Sequence, residues 1–181
     1  MNIKKNSKSS VLIDSGVQDI KIENLFFNGS IVSKVITPER SLEISKPGDY
    51  EYGKVGFTGF EVPVESYKGS INLVKLLVED IRVVILFADV EIAKDVLNEL
   101  VNIDVLITPF FNSDRLKEHI ADIDPKTLLI LRNFESSQEV DLEGVQKMLG
   151  VGTIEEASNY KFKSGDFSND GEYTLSTFIL K

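Results

Sequence analysis

The sequence predicts an α/β protein in which two β-sheets pack face to face with helices on the outside. Two observations carry that expectation. Up to residue 88 the apolar residues come in short alternating bursts separated by turn residues, the period of strands and hairpins. Beyond it, apolar stripes at helical spacing lie between short apolar runs, so helices alternate with strands. At 181 residues the chain has length for one domain with a full core and not for two ordinary ones, so a single domain over 1–181 is expected.

In order, Val11-Leu12-Ile13, Ile20-Lys21-Ile22, Leu25-Phe26-Phe27 and the run 31–36 are strand bursts. Asn28-Gly29 between two of them favours the positive φ angles of a tight hairpin turn. Pro47-Gly48 predicts another tight turn, Pro presetting φ and Gly opening conformations closed to other residues. After it, 50–62, 71–78 and 83–88 are compatible with strands of one larger sheet. Val90, Ala93, Leu97, Leu100 and Val101 predict an amphipathic helix over 90–102. A strand at 105–107 follows, then a helix marked by Leu116, Ile120 and Ile123, with Asn112 or Ser113 available as its cap. Residues 127–131 form the next apolar strand. Ser136 and Glu139, in capping-box spacing, open a helix over 139–149 that Gly150 ends. Two alternating strands, 160–163 and 173–180, close the chain.

With 42% hydrophobic and 27% charged residues and no long Pro, Gly or Ser tract, the composition is that of a globular protein rather than a disordered one. The longest apolar run, 83–88, is far short of the roughly 20 residues of a membrane span, and residues 1–5 lack the apolar stretch of a signal peptide. A cytoplasmic protein is expected. The absence of cysteine excludes disulfides, thiolate metal sites and cysteine nucleophiles. A net charge of -9 repels phosphate backbones, so nucleic acid is not an expected partner. Lys4, Lys5 and Lys8 form the one basic cluster, too short to indicate more than a solvated strand edge.

Pro47-Gly48-Asp49-Tyr50-Glu51, followed by the glycine-studded run Gly53, Val55, Gly56, Phe57, Gly59 and Phe60, resembles the Pro-Gly-Glu-Tyr-Glu stretch of small metallo-β-lactamase-fold proteins. These are predicted zinc-dependent hydrolases related to ascorbate-6-phosphate lactonase. The run 81–89 looks like that family's strand ending in a metal-bridging aspartate, with Asp89 at its place. Residues 103–109 are similar to the following strand, and 123–132 to the Pro-Lys strand that ends in the last metal-binding histidine. Arg132 stands in that histidine's place. The resemblance implies a four-layer αββα sandwich, here shortened.

The departures fall on the chemistry. Residues 14–46 contain no histidine, so the family's His-x-His-x-Asp-His loop has no counterpart, and Ser15-Gly16 and Asn28-Gly29 stand where the loop and its helix would lie. The family's early Gly-His-Ser is Ser7-Lys8-Ser9 here, and its Gly-Gly loop is Phe110-Phe111. Zinc hydrolases need three or more protein ligands to bring a bound water's pKa toward neutrality. One carboxylate does not suffice.

Asp89, just before a predicted helix, is expected to cap it. His119, the single histidine, flanks the Leu116–Ile120 stripe with no ligand pair near it in sequence, and a half-buried or surface structural role is expected. Asp49 and Glu51, two apart on a strand, share a face and are expected to be solvated edge residues rather than an acid–base pair. Ser113 has no nucleophile-elbow context. If Lys8 and Arg132 lie near Asp89, as the resemblance places them, an ion pair replaces the metal. The expectation is a catalytically inactive metallo-β-lactamase-fold protein without a cofactor, acting as a binding, structural or regulatory module with a protein partner or as a homo-oligomer. The alternatives are a hydrolase holding Mg²⁺ or Mn²⁺ on Asp89, Asp49 and Glu51, and a small-molecule sensor using the vacated pocket.

Overall fold

A computed structural model describes residues 1–25, 30–37, 39–63, 70–133, 142–167 and 175–181. The first half builds an antiparallel six-stranded sheet from β1 (Asn2–Ser7), β2 (Ser10–Asp14), β3 (Asp19–Leu25), β4 (Ser30–Ile36) and β5 (Ser41–Ile44), with β13 (Asn159–Lys161) returning to the outer edge of β1. The second sheet has eight strands. Its antiparallel half is β6 (Gly48–Tyr52), β7 (Val55–Phe60), β8 (Leu73–Val78) and β9 (Ile81–Leu86). Its parallel half continues from β9 through β10 (Val105–Pro109), β11 (Thr127–Leu131), β14 (Ser176–Leu180) and β12 (Glu155–Ala157). The helices α1 (Lys94–Glu99), α2 (Asp114–Ile123) and α3 (Leu142–Leu149) lie between strands of that parallel half.

Side-chain alternation decides the packing. Ile3, Val11, Ile13, Ile20, Ile22 and Val35 from the smaller sheet meet Val74, Leu76, Val83, Ile85, Ile107 and Leu129 from the larger one in a shared buried core. The apolar residues of opposite parity on the larger sheet, among them Val84, Leu86, Leu106, Leu128 and Ile130, form a second core with Leu116, Ile120 and Ile123 of α2 and Val145 of α3. β10 and β11 are buried along their whole length because they are covered on both faces. Among the described residues every α-helix packs on the larger sheet. The outer face of the smaller sheet carries Lys21, Lys34 and Glu43 instead, so the fourth layer implied by the resemblance has no described helix.

Several expected elements change. The strand at 50–62 is a hairpin, β6 and β7, because Gly53 takes φ +64 and turns the chain. The helix at 90–102 shrinks to α1: Ala93 is extended (φ -65, ψ 149) and serves as an N-cap with no side-chain bond. Ser113 caps α2 by accepting from Leu116 N at 3.1 Å, and Gly150 ends α3 at φ +68. Pro47-Gly48 is the bend that carries the chain from one sheet to the other, with Gly48 at φ +136. β3 and β4 do pair as a hairpin, with Leu25 opposite Ser30, but the Asn28-Gly29 turn lies outside the described residues, as do Ser136 and Glu139. No helix is long and apolar enough to cross a membrane among the described residues.

Candidate functional site

The carboxyl ends of β9, β10, β11 and β14 share one rim of the sandwich, which β1 reaches at the end of β11 through Lys5 and Arg132. Asp89 follows β9, Phe110 and Phe111 follow β10, Arg132 follows β11, and Lys181 follows β14. Ligands of open α/β sheets gather at such carboxyl ends.

Asp89 does not cap a helix, since α1 starts only after Ala93. Its carboxylate lies 3.8 Å from Arg115 Nη1, which also donates to the Asp89 backbone carbonyl at 3.1 Å. Asp89 Oδ1 is buried without a hydrogen-bond partner. His119 is more buried than expected, only 5% exposed, because α2 turns it inward beside Leu116 and Ile120. Its Nε2 donates to Val90 O at 2.7 Å, which ties the chain after β9 to α2, while Nδ1 has no partner. Phe110 and Phe111 are buried in the outer core.

Arg132 and Lys8 do not reach Asp89. The Arg132 guanidinium pairs with Glu156 of β12, and Lys181 Nζ lies 2.5 Å from the other oxygen of the same carboxylate. The hydrogen bond from Lys181, then the charges of Lys181 and Arg132, hold the Glu156 carboxyl below its ordinary range against an opposing contribution from burial. Lys5 is not a solvated edge residue. It has the inward parity of Ile3 on β1, and its Nζ spans the gap between sheets to donate to Arg132 O at 2.6 Å. Burial first, then the positive charges of Lys8 and Arg132, push its pKa down from 10.5.

These donors do not fit zinc. Asp89 and His119 each leave one buried atom unpaired, but two donors fall short of the three that zinc chemistry requires, and a cation occupies position 132. No three His, Asp or Glu side chains come together as a metal-binding group among the described residues. The carboxylate alternative fails on register. Asp49 stands level with Val84 through Thr58 and Lys75, so Asp89 lies roughly 16 Å along the strands and about 14 Å across them.

Asp49 and Glu51 instead rim a groove of about 780 Å³ on the outer face of β6–β9, with Lys54, Lys75, Arg82 and Glu99. Leu77 and Val101, 46% and 57% exposed, give it an apolar floor. Sequence reasoning passed over Arg115, Glu156 and Lys181 and took Lys5 for a solvated edge residue. Only the parity of Lys5 with Ile3 on β1 gave a local signal.

No family model matches the chain, and no curated protein matches it. Among solved structures, the chain is similar to the crystal structure of a predicted Zn-dependent hydrolase of the metallo-β-lactamase superfamily from Thermotoga maritima. The TM-score is 0.55 and the identity 14%, over 90% of this chain and 100% of that one. This likeness gives the fold, which is metallo-β-lactamase-like.

Proposed function

We propose that the chain is a non-catalytic binding module on a metallo-β-lactamase-like scaffold. One observation supports this reading above others: Asp89 and Arg132, which the resemblance sets at metal-ligand positions, are engaged by Arg115 and Glu156 in ion pairs. A carboxylate facing a guanidinium and a guanidinium in a histidine's place neither hold a divalent cation nor activate water. The same reading extends to a structural or regulatory subunit that works with a protein partner or as a homo-oligomer. The test is metal analysis of protein purified without chelator, followed by assay of ester, lactone and phosphoester hydrolysis with added Zn²⁺ or Mn²⁺. Substoichiometric metal and no turnover are expected. Stoichiometric metal or metal-dependent turnover overturns the reading.

A further inference from the structure

We propose that the rim where β1–β2 meets the end of β11 binds a small oxyanion with two or more negative charges, held by Lys5, Lys8 and Arg132. This deepens the binding-module reading and rests on it. Lys5 reaches across the two sheets to Arg132 O, using one of its three N–H donors. Arg132 uses one guanidinium nitrogen on Glu156 and keeps further donors in a planar fork suited to phosphate or carboxylate.

Charge balance points the same way. Glu156 is shared between Arg132 and Lys181, and neither Lys5 nor Lys8 forms an ion pair among the described residues. Among the described residues two cations are therefore left without an ion-pair partner beside a third, in a chain whose net charge is -9. Like charges held together at a half-buried rim disfavour the charged state of each other, and for Lys5 this adds to the larger effect of burial. A bound dianion removes that repulsion and leaves donors from both sheets satisfied. A phosphate ester and a dicarboxylate share the required chemistry.

The experiment titrates the full chain with inorganic phosphate and, separately, succinate at constant ionic strength, by calorimetry, alongside Lys8→Gln. Lys8 is exposed on the β1–β2 turn, so this variant keeps the fold, as its unliganded Tm will verify. Saturable binding weakened at least tenfold by K8Q supports the assignment, and the anion that binds identifies the source as phosphate or carboxylate. Absence of saturable binding by either anion, or equal binding by K8Q, overturns it. In a metal-free sample such a failure leaves the binding-module reading standing. Stoichiometric metal in the same sample overturns both.

Discussion

The two halves of the eight-stranded sheet differ in what covers them. From β9 to β12 the strands are parallel, the connecting helices pack on the outer face, and β10 and β11 are apolar on both sides. From β6 to β9 they are antiparallel, only the end of α1 at Glu99 borders that face among the described residues, and Thr58, Lys75, Leu77 and Arg82 line an open groove. Coverage follows connectivity: a parallel pair requires a crossover that a helix can fill, while a hairpin does not. The charged rim lies at the end of the covered half, where packed strands stop together.

The largest expected effect contrasts the two faces directly. Leu106→Ala, buried between sheet and helices, is expected to cost about 3 kcal/mol in urea unfolding, and Leu77→Ala on the open face to stay within about 0.5 kcal/mol. Comparable losses at both would show that the groove is covered in solution, for example by a second copy.

The next effect lies in the β6–β7 hairpin, which the smaller sheet holds from outside. Gln18 donates from Nε2 to Tyr52 O at 3.2 Å and accepts from Lys54 N at 3.1 Å. A Cβ at Gly53 would meet Gln18 Nε2 at 1.9 Å, and φ is +64 there. Gly53→Ala is expected to cost roughly 2–4 kcal/mol, from left-handed strain and displaced hydrogen bonds. With Gln18→Ala the combined loss should fall short of the two single losses added, because the clash is gone. Strict additivity would show that Gln18 does not hold the turn.

The smallest effect tests the covered half's rim by pH. Glu156 has a lowered pKa in the fold, so its contribution to stability is present above the ordinary value of 4.5 and lost as the pH falls through the folded value. Urea midpoints followed from about pH 7 to about pH 3 should therefore decline less steeply for Glu156→Gln than for the parent chain. Parallel curves would remove Glu156 from the balance of the rim.

Much of the fold was legible because its signals are local. Alternating bursts marked β2 and β4, a continuous apolar run marked β9, helical spacing marked α2, and a glycine marked the end of α3. The rest failed for identifiable reasons. The apolar stripe from Val90 to Val101 suggested a long helix, yet Ala93 is extended, His119 fastens Val90 to α2, and Val101 is exposed. β12 is three residues long, too short to display a period, and it supplies Glu156. Of the rim, Arg132 and Lys8 were recognisable as cations where the resemblance sets histidines, while Glu156, the partner of Arg132, was not.

What the residues dictated was the kind of most elements and the scarcity of histidine donors, since periodicity and composition act over a few neighbours or over the whole chain at once. Which charges meet was settled by long-range register. Lys5 and Arg132 are 127 positions apart, Gln18 and Lys54 36 apart, and nothing in either local segment specifies the other. Their encounter follows from two sheets closing over one apolar core, which fixes where each strand ends and so which side chains share the rim.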